Sequence, residues 1–285
     1  WRRMEPEEGR FAFDWVVRVL DLFERYGIGV ILCTPTATYP AWLHRLYPDL
    51  HQIASDGRVR EFGQRQDACK NHSGYRTHAL RVVRRLLGAV GDHRNIRAWQ
   101  IDNEFGCHGT VRCHCPDCEA AFRSWLRQAY NGDIEALNRA WGTVFWSQEY
   151  NDFEEIPAPR DTANLPAVQG HNPGLLLDFY RFSSDVQVSF QAEQVALIRE
   201  HSPGRPITHN LMGLFAEIDY FDLARDLDVV SWDNYPFGAM GTGRPPDPLP
   251  HDLMRGLKQQ PVWVMEQAAG GGGWGVFHAT PRPGQ

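Results

Sequence analysis

The sequence predicts an α/β fold, a (β/α)8 TIM barrel truncated at both ends with its first and eighth strands missing. Three observations predict it. Amphipathic helical stretches alternate with short apolar runs, the pattern of parallel strands joined by crossover helices. Two of those runs, Trp99-Gln100-Ile101-Asp102-Asn103-Glu104 and Val262-Trp263-Val264-Met265-Glu266, end on a glutamate. These glutamates are far apart in the chain, and a barrel unites them because the C-terminal ends of all its strands ring one pocket.

The elements follow in order. Asp14 caps a helix whose Trp15, Val16, Val19, Leu20 and Phe23 share one face, and Gly27 stops it. Gly29-Val30-Ile31-Leu32-Cys33-Thr34 is then a buried strand, with Cys33 a core residue. A weaker strand is expected at Glu61-Phe62-Gly63-Gln64-Arg65. A helix over residues 75–90 precedes a strand over 96–102, and a long helix over 175–201 precedes a strand over 206–211. Leu227-Asp228-Val229-Val230-Ser231-Trp232 and Pro261-Val262-Trp263-Val264-Met265 add two more. The strands near residues 30, 62, 99, 208, 230 and 263 are six of a barrel's eight; the first is expected before Trp1 and the eighth beyond Gln285. The competing open sheet would carry a Gly-rich phosphate loop after an early strand, and none is present. Gly270-Gly271-Gly272-Gly273 follows a strand but lacks the Lys-Ser/Thr of a phosphate loop, so it reads as an active-site loop. Residues 149–173, rich in Asp, Glu, Pro and Asn, are expected to be a surface excursion beside the pocket. With 285 residues and no internal repeat, one partial catalytic domain spans residues 1–285, with a Cys-rich loop at about 107–118.

Composition excludes several function classes. Twenty-nine basic against 35 acidic residues give a net charge of -6 with no basic run, which argues against nucleic acid. No apolar stretch approaches the roughly 18 residues of a membrane span, and the first residues do not resemble a secretory signal. No membrane partner and a cytoplasmic location are expected. Ten Trp, nine Tyr and 15 Phe exceed what a core of this size requires and favour carbohydrate, since aromatic faces stack on sugar C–H faces.

A matched pair of strand-end glutamates reads as the acid/base and nucleophile of a glycosidase. Glu104, beside Phe105, is the better acid; Glu266 is the nucleophile, which must remain ionised. Asp102 is read as a hydrogen-bonding residue. His209, Asn210, Asp233 and Asn234, at the ends of other strands, face the same pocket. Trp42 and Trp146 either stack on sugar or fill the core, and Trp146 has the better claim.

Cys113-His114-Cys115-Pro116-Asp117-Cys118 places three thiols within one turn, a spacing that suits a soft metal ion, most simply structural Zn2+. Disulfides are disfavoured because Cys113 and Cys115 are too close to pair comfortably. The fourth ligand is one of Cys69, Cys107, His108 and His114; Cys69 is favoured as the exit of the weak strand near residue 62, and Cys107 is its rival.

Asn103-Glu104-Phe105-Gly106, the Cys-rich turn, Ser231-Trp232-Asp233-Asn234-Tyr235-Pro236 and Met265-Glu266-Gln267 together resemble the β-galactosidases of glycoside hydrolase family 42, as does the opening Trp1-Arg2-Arg3-Met4-Glu5-Pro6. The resemblance covers essentially the whole chain. It implies a (β/α)8 catalytic domain hydrolysing terminal β-D-galactose with retention, the acid/base Glu104 following strand four and the nucleophile Glu266 following strand seven. It also implies substrate contacts from Arg65, Asn103, Tyr235 and Trp274, a zinc cluster of Cys69, Cys113, Cys115 and Cys118, and a homotrimer for the full-length protein. Arg65, Tyr235 and Asn103 are the expected donors to Glu266. Alternatives are a related barrel glycosidase acting on β-fucosides, β-glucosides or α-L-arabinopyranosides, and an inactive sugar-binding fragment.

Overall fold

A computed structural model describes residues 1–161, 166, 170–235 and 248–267. Its centre is two three-stranded parallel sheets, and the chain passes from one to the other at His209. Strand β1 (Val30–Cys33) pairs with β2 (Ile96–Gln100), and β2 pairs with β3 (Ile207–Thr208). After one intervening residue, His209, the chain continues as β4 (Asn210–Leu211), which pairs with β5 (Ser231–Asn234), and β5 pairs with β6 (Trp263–Gln267). Every pairing is parallel, so each step between neighbours requires a crossover.

Helices supply those crossovers. Helix α1 (Asp14–Arg25) precedes β1, while α2 (Ala41–Leu46) and α3 (Ser73–Val90) link β1 to β2. Between β2 and β3 lie α4 (Pro116–Ala129), α5 (Ile134–Trp141) and the long α6 (Pro173–His201). Helix α7 (Tyr220–Ala224) joins β4 to β5, and α8 (Leu249–Lys258) precedes β6. The repeating strand–helix order and the all-parallel pairing are those of a TIM barrel.

Local chemistry explains most boundaries. Helix α6 starts where Asn172 Oδ1 accepts from the backbone N–H of Gly174 at 2.8 Å and Leu175 at 3.3 Å, with Pro173 at the first position. Helix α3 is capped by His72, whose Nδ1 accepts from Tyr75 N at 3.1 Å. Asp14 is the first residue of α1, not its cap; Phe13 holds the cap position and Asp14 offers its charge to the positive end of the helix. Gly27, at φ +68°, ends the helix as expected.

The expected strand at residues 61–65 does not form. Strand β1 pairs directly with β2, and the segment between them holds only isolated bridges, His51 to Ala68, Ile53 to Val59 and Phe62 to Gln64. An apolar content of one Phe in five residues leaves nothing to bury against both faces of a parallel sheet. Among the described residues the strands are therefore one fewer than the six expected, with β3 and β4 counted together.

Two apolar clusters support the sheet. The larger joins strands, α1, α3 and α6 through Leu20, Val83, Leu86, Trp99, Ile101, Phe190 and Ile207. The smaller lies under α4, α5 and α6 around Phe122, Leu137 and Phe179, and it takes in Phe153, Ile156 and Ala158. Residues 149–161 are therefore anchored by buried side chains rather than simply laid over the surface. Cys33 departs from expectation too: it is exposed, alternating with Leu32 along an edge strand.

Candidate active site and four-cysteine centre

Three strand ends converge. Glu104 leaves β2, Asp233 is within β5 and Glu266 within β6, and carboxylate oxygens of all three lie within 4.8 Å of one another. Asp233 and Glu266 are register partners on adjacent strands, which sets them side by side. The last two belong to their strands rather than following them, because parallel pairing runs on to Gln267.

Asn210 holds this group together. Fully buried on β4, it accepts on Oδ1 from Glu104 N at 3.0 Å and Gln100 Nε2 at 3.1 Å. Its Nδ2 donates to Asp233 Oδ2 at 2.7 Å and to Asn103 Oδ1 at 3.1 Å, and lies 3.5 Å from Glu266 Oε1. Its neighbour His209 acts beneath the site. Nε2 accepts from Phe105 N at 3.1 Å, so Nδ1 carries the hydrogen donated to Ile101 O at 2.7 Å. Burial pushes its pKa down to about 4, so the ring is neutral and props up the backbone that carries Glu104.

That backbone is bent. Asp102 and Glu104 have φ of +50° and +43°, and Gly106 +83°. A left-handed non-glycine residue costs about 1–3 kcal/mol and persists only when its surroundings fix it. The fixing contacts are dense: Asp102 Oδ1 accepts from Gln66 Nε2 at 2.9 Å and Asn103 N at 2.6 Å, and Asp102 N donates to Thr34 Oγ1 at 2.8 Å. Thr36 Oγ1 donates to Asp102 Oδ2, and Gln66 also reaches Asn103 O. Buried Lys70 donates to Gln66 Oε1 at 2.9 Å and lies 4.8 Å from the Phe105 ring centre, with burial pulling its pKa down to about 8. A methyl on Gly106 would stand 2.2 Å from Val111 Cγ2. Gly106→Ala should therefore destabilise the protein by about 2–4 kcal/mol, combining overpacking with backbone strain, as a denaturant titration would show.

The expected donors divide between the two glutamates. Tyr235 Oη donates to Glu266 Oε2 at 2.6 Å, and this bond, with burial second, holds the phenol above its ordinary pKa and so neutral. Arg65 pairs instead with Glu104, Nη2 to Oε2 at 2.7 Å, and its Nη2 also lies 2.9 Å from Cys107 Sγ. The expected Arg65–Glu266 contact is not formed, because the Arg65 guanidinium is taken up by Glu104 and Cys107. Asn103 meets Asn210 rather than Glu266. Trp274 lies outside the described residues, as does the run Gly270–Gly273. Trp42 is partly buried and donates to Glu5 O at 3.0 Å, while Trp146 is exposed and stacked on Phe145. Gln66, Lys70, Thr34 and Thr36 were not singled out from sequence. The threonines follow the end of β1 and obey the strand-exit logic that located Glu104; Gln66 and Lys70 lie in irregular chain and carry no such signal.

A second centre is built from four buried cysteines, Cys69, Cys113, Cys115 and Cys118, whose Sγ atoms lie within 4.8 Å of one another. Cys69 Sγ is 3.3 Å from Cys118 Sγ and 3.4 Å from Cys115 Sγ. A tetrahedral ion with sulfur bonds of about 2.3 Å needs sulfurs about 3.8 Å apart, and small side-chain adjustments from the separations seen here would meet that requirement. Hydrogen bonds from Cys113, Cys118 and Cys69 hold the Cys115 thiol well below its ordinary pKa, while Cys69 and Cys118 lie well above theirs. Asn71 donates to Cys69 Sγ from its backbone at 3.3 Å and to Cys118 Sγ from its side chain at 3.2 Å. These N–H contacts suit thiolate sulfur. Pro116 opens α4 immediately after Cys115, which fixes two of the thiols on its first turn. Cys107 is occupied by Arg65 and stands outside the set.

Comparison with known proteins agrees with this architecture. A family model described as Beta-galactosidase, for glycoside hydrolase 42, matches residues 1–285. The chain is 44% identical over 299 residues to a β-galactosidase of a Thermus species and 43% identical to one of Halorubrum lacusprofundi, covering all of this chain and 45% and 42% of those proteins. It therefore spans less than half the length of these relatives. Among solved structures, β-galactosidase from the psychrophilic Marinomonas ef1 superposes with a TM-score of 0.91 at 39% identity, over 99% of this chain and 44% of that one. With its whole length matched by the family model and by relatives more than 40% identical, the chain belongs to glycoside hydrolase family 42.

Proposed function

We propose that the protein is a retaining exo-glycosidase that removes terminal non-reducing β-D-galactose, with Glu104 as acid/base and Glu266 as nucleophile. The observation that carries this reading is the approach of the two carboxylates to within 4.8 Å across the strand ends. Double displacement needs carboxyls about 5–5.5 Å apart, whereas inversion requires space for an intervening water. Tyr235 keeps Glu266 supplied with a donor, so it attacks the anomeric carbon as an anion while Glu104 protonates the departing oxygen. Glu104 then removes a proton from the water that releases galactose. Arg65, Asn103 and Trp274 are proposed to hold the sugar.

The four cysteines are proposed to bind one structural Zn2+, which would tie residues 69–71 to the start of α4 and so brace the loop that follows Glu104. The ion's chemistry there is structural: a closed set of four thiolates leaves no position for substrate. A homotrimer is proposed for the full-length protein, and reduced, metal-binding thiols suit a cytoplasmic location. Among the described residues no helix is long and apolar enough to cross a membrane.

Proton NMR of a nitrophenyl β-galactoside reaction should show β-galactose as the first product, and α-galactose appearing first would overturn retention. The same assay on β-fucoside, β-glucoside and α-L-arabinopyranoside analogues should rank the galactoside first.

A further inference from the structure

Resting on that glycosidase reading, we propose that Asp233 is a proton store for Glu104, holding a proton in the resting site and passing it to Glu104 when a bound sugar draws Arg65 away. Three carboxyls lie within 4.8 Å, and among the described residues the cation in contact with them is Arg65, which reaches Glu104. Three anions cannot coexist at such a distance with one countercharge, so one carboxyl carries a proton. The surroundings select which one. Glu104 has Arg65 at 2.7 Å, and Glu266 has the Tyr235 hydroxyl at 2.6 Å. Asp233 has a donor on Oδ2 alone, Asn210 Nδ2 at 2.7 Å, while its Oδ1 is buried with no hydrogen-bond partner among the described residues. A hydrogen on Oδ1 resolves that deficit, because it can be directed at Glu104. Among the described residues, the titratable groups that face Asp233 are Glu104, Glu266, Tyr235 and Tyr220, and none of them is a cation. Burial, followed by the charge of Glu266 and contact with Glu104, pushes its pKa up to about 8.

The need for a store follows from the resting contact. A carboxylate in an ion pair with arginine cannot donate a proton to a glycosidic oxygen. When a sugar hydroxyl takes up the Arg65 guanidinium, the O–H bond on Asp233 breaks as one forms on Glu104, and the negative charge moves from Glu104 to Asp233. The pair's proton count is unchanged. Asp233 is thus a positioning residue that acts through Glu104 and does not touch the sugar.

Asp233→Asn keeps an acceptor for Asn210 and a donor toward Glu104 but has no proton to give. In the full-length enzyme, kcat/KM for a β-galactoside with a poor alkyl alcohol leaving group should fall by about 10- to 100-fold, and the loss should be about ten times smaller for dinitrophenyl β-galactoside, whose departure needs no acid. Equal losses on both substrates would overturn the proton store and leave the glycosidase reading standing. A wild-type enzyme that releases no galactose from either would overturn both. Independently of any variant, carbon-13 NMR of wild-type protein labelled at aspartate carboxyls should show one resonance titrating near pH 8. If no aspartate carbon titrates near pH 8, the inference is overturned.

Discussion

Glu266→Gly should lower hydrolysis of nitrophenyl β-galactoside by about four orders of magnitude or more, the scale seen when a covalent nucleophile is removed. Azide should then restore turnover. The side chain being deleted lies on β6 between the hydroxyl of Tyr235 and the amide of Asn210, so its removal opens a space lined by donors suited to a small anion. Azide attacks from the face that Glu266 occupied and takes no further step, because Glu104 has no water to activate against a stable azide. The product should be α-galactosyl azide, the opposite anomer to the substrate. Failure of azide to restore activity, with the protein folded, would remove Glu266 from the nucleophile's role; β-galactosyl azide would show attack from the other face.

Cys69→Ser should reduce metal content from about one zinc per chain to near zero, as measured by elemental analysis of the purified protein. Cys69 carries this effect because it is distant in sequence from the other three thiols. Cys113, Cys115 and Cys118 form one turn leading into α4, whereas Cys69 arrives from a loop that is otherwise fixed by a few bridges, including Cys69 N to Leu50 O at 2.8 Å. Losing it detaches that loop. The midpoint of thermal unfolding should fall by about 10 °C, corresponding to roughly 3 kcal/mol for a domain of this size. Galactosidase activity should fall as well, because Arg65, Gln66 and Lys70 lie on the detached stretch and contact the segment around Glu104. Unchanged metal content would reassign the fourth ligand.

What the sequence disclosed divides along physical lines. The two glutamates, and the strands before them, were legible because a buried apolar run that ends on a charged residue has one sensible place in a parallel sheet. The cysteine set was legible because three thiols in one turn satisfy few other purposes. The path of residues 50–70 was not, since that stretch is held by side chains such as Gln52, which donates to Thr110 O at 2.9 Å, rather than by periodic burial. The misplaced strand at residue 62 and the reassigned partner of Arg65 both come from that one irregular segment. Asn210 was read only as facing the pocket; its part in linking both glutamates depends on bonds to β2 and the segment leaving it, to β5 and to β6, which no spacing encodes.

The alternating left-handed residues at 102, 104 and 106 have a consequence for inhibitor design. Each is held by partners present before any sugar arrives, Asp102 by Gln66 and Thr34, Glu104 by Asn210, and Gly106 by the Thr110 N–H that donates to its carbonyl at 3.1 Å. The ridge is thus cast in advance rather than moulded by a ligand. Rigid compounds that imitate the flattened, positively charged sugar ring should gain affinity here without a penalty for ordering the protein, and crystals soaked with them should need no rearrangement of this ridge.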